Sequence, residues 1–213
     1  MTNRARAVLW DMDGTLIDSE PASQRVLEDA MRTVGIMPPH NLHERTFGVS
    51  AVDIHTMLVE EHGLAMALEE WEVMKIDALL RVMPQIGAFD DATAVWHALK
   101  ARGVPQAVVS NSDRLAVDAS LRRIGVSAPG LITVSRNDVV EGKPAAEPYL
   151  RGAHLLRVEP GEVIVVEDSE VGLGACLAAG MRPFIVPWAD GALGEPSMRL
   201  RKMADLFDHV AGR

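Results

Sequence analysis

The amino-acid sequence predicts an α/β fold: a parallel sheet with helices between its strands, and a helical insert directly after the first strand. Three observations carry this. Short apolar runs bounded by turn residues alternate with amphipathic stretches, as strands buried on both faces alternate with crossover helices. That alternation lapses from about Asp18 to Pro84, where only helical patterns are found. With 213 residues, 48% of them apolar and 24% charged, the chain can bury one sizeable core, or one domain plus a small insert.

In chain order, "AVLW" (7–10) reads as the first strand. The insert carries the patterns "SQRVLEDAMRTVG" (23–35) and "DIHTMLVEEHG" (53–63), separated by the turn "MPPHN" (37–41). Beyond it, "DDATAVWHALKARG" (90–103) opens with an acidic turn and stops at Gly103, the signature of a helix. The strand "VPQAVVS" (104–110), the helix "DRLAVDASLRRIG" (113–125) and the strand "LITVS" (131–135) follow. Then come the strand "VIVV" (163–166), the helix "SEVGLGACLAAG" (169–180) and the strand "PFIVP" (183–187). The tail after Pro196 reads as one terminal helix.

Thirty acidic residues against 21 basic ones give a net charge of −9, which opposes binding to nucleic acid or to an anionic membrane surface. A single cysteine, Cys176, rules out an intrachain disulfide framework and fits a reducing, cytoplasmic location. It follows an acidic motif inside an apolar helix, as a small buried hydrophobe would. The apolar stretch at 7–10 is too short for the core of a signal peptide, and no apolar run approaches the ~18 residues of a membrane span. A small molecule is the expected partner, for a monomer or weak homo-oligomer.

The first strand runs into "DMDGTLIDSEP", which sets Asp11 and Asp13 at a carboxyl strand end, where open α/β sheets bind ligands. One carboxylate can act as a nucleophile while the other handles protons; a solvated acidic turn is the alternative. A calcium loop starting at Asp11 would need glycine at Leu16 and glutamate at Ala22, and is excluded. The second strand ends at Ser110, whose hydroxyl, with the amide of Asn111, is placed either to bind an anion or to cap the next helix. Lys143 lies between a glycine that permits close approach and Pro144, read as starting a helix. The fourth strand ends at Glu167 and Asp168, which can either complete an oxygen cage for Mg2+ or favour a helix N-terminus. Taken together, acids, hydroxyl, lysine and acids fall on one sheet edge and suit transfer of a phosphoryl group.

With these motifs in this order, the chain resembles the haloacid dehalogenase superfamily of phosphohydrolases over nearly its whole length. The resemblance rests on "DMDGT", on Ser110 in "VVSNS", on Lys143 in "EGKPAAEPYL", and on Glu167 and Asp168 in "VVEDS". It implies a Rossmann-like doubly wound core of residues 1–17 and 85–213, with a small all-α cap at 18–84 of the kind found in the subfamily of β-phosphoglucomutase and sugar-phosphate phosphatases. It further implies a nucleophile at Asp11, an acid/base at Asp13, and phosphate binding by Ser110, Asn111 and Lys143. Mg2+ would be held by Asp11, the Asp13 carbonyl and Asp168, with Glu167 acting through water.

The expected reaction is hydrolysis of a small phosphorylated metabolite, a sugar phosphate or a compound like 6-phosphogluconate, through a phosphoaspartyl intermediate. Asp13 argues against a dehalogenase and against phosphonate cleavage. Ser23 and Ala51 replace the histidine and arginine that serve the mutase cycle; a mutase-type phosphate transferase and a catalytically idle binding member are the alternatives. At Ala146 and Glu147 the family often has Pro-Asp, so an orienting contact to Lys143 is expected to change. In the insert, "RTFGVS" (45–50), with Arg45, and Lys75 match cap positions of relatives, and plain surface charge is the competing reading. "DSEP" (18–21) and "EEHG" (60–63) resemble phosphatases of hexose phosphates. His40, His43, His55 and His62 could form a metal site or lie on the surface, and Met57, Met66 and Met74 read as core fillers.

Overall fold

The computed structural model describes residues 4–46, 49 and 51–211. The chain divides into two compact units, Met1–Asp18 with Gly87–Arg213, and Ser19–Ile86.

In the first unit, five parallel strands form one sheet: β1 (Ala7–Trp10), β4 (Gln106–Val109), β5 (Ile132–Val134), β6 (Val163–Glu167) and β7 (Arg182–Ile185). Their order is β5-β4-β1-β6-β7. Trp10 lies level with Val108 on one side and Val166 on the other. The central strands β1 and β6 are buried at every residue, which explains their unbroken apolar sequences. The chain fills one side of β1 with β4 and β5 before crossing to β6 and β7. The strand order therefore reverses between β1 and β6, and the crevice beyond their carboxyl ends is where such sheets bind ligands.

The crossovers are helices α5 (Asp90–Ala101), α6 (Arg114–Arg123), α7 (Glu147–Leu156) and α8 (Glu170–Ala178). The Asp113 side chain caps α6 by accepting from Leu115 N, and Ser169 caps α8 by accepting from Gly172 N. Leu9, Val109, Tyr149, Val165 and Cys176 share one buried cluster.

The insert contains α1 (Glu20–Thr33), α2 (Leu42–Thr46), α3 (Ala51–His62) and α4 (Leu68–Val82). It has a core of its own, with Leu27, Met31, Ile54, Leu58 and Trp71 buried together and Met57, Met66 and Met74 packed against them. Among the described residues, no helix of the chain is long and apolar enough to cross a membrane.

Three sequence expectations need correction. Asp18 belongs to a strand: β2 (Ile17–Asp18) pairs antiparallel with β3 (Gly87–Ala88), and two residues are too few to show an alternating pattern. Pro144 does not start a helix, since α7 begins at Glu147 with Pro148 in its first turn. The tail is not a helix but two short 3-10 turns, Pro196–Met198 and Met203–Asp208. Its backbone groups bond to distant partners instead: Leu200 N donates to Ile185 O, the last residue of β7, at 3.0 Å, and Ala211 N to Ala5 O, ahead of β1, at 2.8 Å.

Leu58, fully buried in the core of the insert, gives a direct test of that packing. Leu58→Ala should lower unfolding free energy by about 2–5 kcal/mol, read as a lower urea midpoint. A midpoint equal to wild type would contradict the packing described.

Candidate active site

Asp11 is the first residue beyond β1, and its backbone extends the ladder by donating from N to Val166 O at 3.0 Å. Next, the Met12 carbonyl accepts from Leu16 N at 2.9 Å and Ile17 N at 3.0 Å, folding "DMDGT" into a tight loop. Gly14 holds a φ of +78°, and a Cβ there would lie 1.8 Å from Asp168 Oδ2. The glycine thus permits both the turn and the approach of the second acidic motif.

At the end of β6, Glu167 is fully buried, and both of its oxygens are engaged. Oε1 accepts from Lys143 Nζ at 2.7 Å and from Tyr149 Oη at 2.5 Å. Oε2 accepts from Asp168 N at 3.1 Å, Ser169 N at 3.3 Å and Ser169 Oγ at 3.0 Å. A Cβ on Gly172 would fall 1.7 Å from Glu167 Oε1, so the start of α8 is open only because it carries glycine.

Lys143 is 7% exposed. Its Nζ donates to Asp11 Oδ1 at 2.6 Å as well as to Glu167, and lies 4.7 Å from the centre of the Tyr149 ring. Burial pulls the ammonium toward neutrality, but the Asp11 and Glu167 carboxylates more than reverse this and hold it charged beyond the ordinary lysine range. Burial holds Asp11 well above the usual carboxylate range despite Lys143, with the charges of Glu167, Asp168 and Asp13 adding to the effect. Asp168 is pushed up to about 8 by burial first and the Glu167 charge second. Burial likewise raises Cys176 to about 12, the behaviour of an inert buried thiol.

Asp13 Oδ2 accepts from Ser110 Oγ at 3.2 Å and from Ser112 Oγ at 2.8 Å. Ser110, 2% exposed, is not a helix cap; its Oγ accepts from Ser112 N at 3.0 Å. The Asn111 side chain pairs with the backbone of Lys143. The structure thus links residues from the ends of β1, β4 and β6 with the loop before α7, and brings together Asp11, Asp13, Ser110, Asn111, Lys143, Glu167 and Asp168.

The insert residues behave differently. Arg45 donates to both oxygens of Glu61, at 2.6 and 2.7 Å, and Lys75 faces Glu72 at 3.6 Å. His55 Nε2 hydrogen-bonds to the Met66 carbonyl at 3.0 Å. Among the described residues, the insert histidines belong to no group able to hold a metal; Asp11, Glu167 and Asp168 form such a group, with one oxygen of each within 4.8 Å of the others. Phe47, Gly48 and Ser50 of "RTFGVS" lie outside the described residues. The Glu147 carboxylate does not reach the Lys143 amine but accepts from Val140 N and Glu141 N, bracing the base of the lysine's loop.

Sequence reasoning missed Ser112, Tyr149 and Trp188. Ser112 was visible as the second serine of "SNS", and Tyr149 is the one tyrosine of the chain, six residues after Lys143. Nothing in the sequence singled out Trp188, whose Nε1 donates to Gly14 O at 2.8 Å while its ring stacks on Phe89 at 4.4 Å.

Fold and site together define an α/β enzyme that gathers carboxylates, a serine and a buried lysine at its topological switch point. Residues 5–180 match the model of the haloacid dehalogenase-like hydrolases. The chain belongs to that family and is a hydrolase. It is 31% identical to hexitol phosphatase A of Escherichia coli over 83% of its own length and 81% of that protein's. It is 28% identical to a bifunctional riboflavin kinase/FMN phosphatase of Arabidopsis thaliana over 84% of its own length, and spans about half, 48%, of that longer protein. The fold matches the phosphate complex of CbbY from Rhodobacter sphaeroides with a TM-score of 0.82 at 22% identity, covering 95% of this chain and 96% of that one.

The raised Asp168 makes stability depend on pH in a definite direction. Between the unfolded aspartate value of about 4 and the folded value of about 8, the folded protein binds a proton that the unfolded chain has released, so stability falls as pH rises through this window. Urea midpoints in a chelating buffer at about pH 5 and about pH 9 should show the fall, and Asp168→Asn should lessen it, leaving the share of the raised Asp11. An equal fall in the variant would contradict the assignment.

Proposed function

We propose that the chain is a Mg2+-dependent phosphatase that hydrolyses a small phosphorylated metabolite through a phosphoaspartyl intermediate on Asp11. The observation that carries this reading is the buried Asp11 carboxylate, bound by Lys143 Nζ at 2.6 Å and grouped with the oxygens of Glu167 and Asp168.

Four carboxylates meet one ammonium in this site, those of Asp11, Asp13, Glu167 and Asp168. Hard oxygen donors short of positive charge suit Mg2+. Asp11, the Asp13 carbonyl and Asp168 would hold the ion, which would offset the charge of the phosphoryl oxygens. Glu167, with five donors on its two oxygens, serves mainly to fix Lys143.

In the first step an Asp11 oxygen attacks phosphorus and the bond to the ester oxygen breaks. That leaving oxygen takes the proton of the Asp13 carboxyl. The Asp13 carboxylate then takes a proton from water, whose oxygen attacks phosphorus. The phosphorus–Asp11 bond breaks, releasing inorganic phosphate and restoring both side chains. Lys143, the Ser110 hydroxyl and the Asn111 backbone amide stabilise the phosphoryl oxygens. Ser112 and Ser110 both donate to Asp13 Oδ2; with the single Ser110 proton turned to a phosphoryl oxygen, Ser112 holds Asp13 in place.

The substrate class we favour is a sugar phosphate or a compound like 6-phosphogluconate. Support comes from the likeness to hexitol phosphatase A and from Ser23 and Ala51, which lack the side chains of the mutase cycle. We read the protein as cytoplasmic, in keeping with its single, buried cysteine.

Asp11→Asn should abolish phosphate release from p-nitrophenyl phosphate in Mg2+; retention of more than about a tenth of wild-type activity would refute the nucleophile. A panel of metabolite phosphates tests the substrate class. On β-glucose 1-phosphate with a trace of bisphosphate, inorganic phosphate should form faster than glucose 6-phosphate. The reverse order would favour the transferase.

A further inference from the structure

We propose that the Asn111 side chain is a positioning residue for Lys143, a surrogate peptide unit that pins the lysine's loop to the end of β4. The inference deepens the phosphatase reading and rests on it.

Lys143 lies in the stretch 139–146, outside any strand or helix, so no ladder fixes its backbone. Asn111 supplies what a neighbouring strand would have supplied. Its Oδ1 accepts from Lys143 N at 2.8 Å, and its Nδ2 donates to Lys143 O at 3.0 Å. A carboxamide carries one donor and one acceptor group in the arrangement of a peptide, so the pairing is two-pointed and fixes orientation as well as distance. The approach is close enough to constrain the preceding residue: a Cβ on Gly142 would lie 2.8 Å from Asn111 Oδ1.

Precision matters because the ammonium at the end of this side chain must meet two carboxylates at once, Asp11 at 2.6 Å and Glu167 at 2.7 Å. A backbone shift of about 1 Å would spoil both contacts. Both heavy atoms of the Asn111 amide are engaged with the Lys143 backbone, so its side chain acts on phosphate through the lysine, while its backbone amide remains the phosphate-facing group.

A double-mutant cycle on kcat/KM for p-nitrophenyl phosphate in Mg2+ tests this. Asn111→Ala should lower kcat/KM about tenfold or more, and in a Lys143→Ala background the same change should cost less than about twofold. Gly142→Ala probes the contact from the other side: it should give a comparable loss that also disappears with Lys143→Ala. This second arm stands if Asn111→Ala fails to fold by circular dichroism. Losses that multiply with that of Lys143→Ala in either arm would overturn the proposal, because a residue binding phosphate itself, or one merely supporting the fold, keeps its effect without the lysine. A wild-type protein without phosphatase activity, or Lys143→Ala as active as wild type, would instead overturn the phosphatase reading.

Discussion

The Lys143 ammonium stands between Asp11 Oδ1 at 2.6 Å and Glu167 Oε1 at 2.7 Å, in a site almost closed to water. Taking these charges out of water is expensive, and their attraction compensates only where the remaining lone pairs are also bonded. The surroundings supply this: Tyr149 and the turn after β6 complete Glu167, and the glycines at 14 and 172 leave room for the carboxylates. Removing the ammonium would strand the acids, a cost on the order of 3–5 kcal/mol. This charge centre explains why so many backbone details near it are constrained.

The sheet makes the centre possible. Asp11 and Glu167 are 156 residues apart in sequence, yet β1 and β6 are neighbours with Trp10 level with Val166. Parallel strands deliver all their carboxyl ends to one edge, so one residue beyond each strand is enough to assemble acids and hydroxyl. Lys143 reaches the same edge without a strand of its own, from a loop braced at its base by Glu147 and met along its length by Asn111.

Much of this was legible in the sequence, for a physical reason. Buried parallel strands write themselves as continuous apolar runs, and "AVLW" and "VIVV" both proved to be central strands with their acids at the carboxyl end. Glycine stops at Gly103, Gly125 and Gly180 marked helix ends because only a residue tolerant of positive φ turns there cheaply. What escaped was either too short for periodicity, like the two-residue strands β2 and β3, or depended on distant partners. The tail reads as helical until its backbone is seen to bond to Ile185 and Ala5. Trp188 carries no local signature, and the hints at Ser112 and Tyr149 say nothing of the partners, Asp13 and Glu167, that give those residues their part in the site. Glu147 shows the same limit: the sequence marks the residue, but its contacts with Val140 N and Glu141 N depend on the fold of the loop.

A net charge of −9 would repel a phosphorylated ligand at long range, so the site must reverse the sign locally. Lys143 begins that reversal by meeting Asp11 and Glu167; on the phosphatase reading proposed above, Asp11 would be the nucleophile and a second cation would complement it. The most direct test of this account is to quench a reaction of the Mg2+-loaded protein with 32P-labelled substrate in acid, and to map the label by proteolysis. The account predicts a hydroxylamine-labile phosphoryl group on the peptide that contains Asp11. Label on another residue, or turnover with no labelled protein at any quench time, would contradict it.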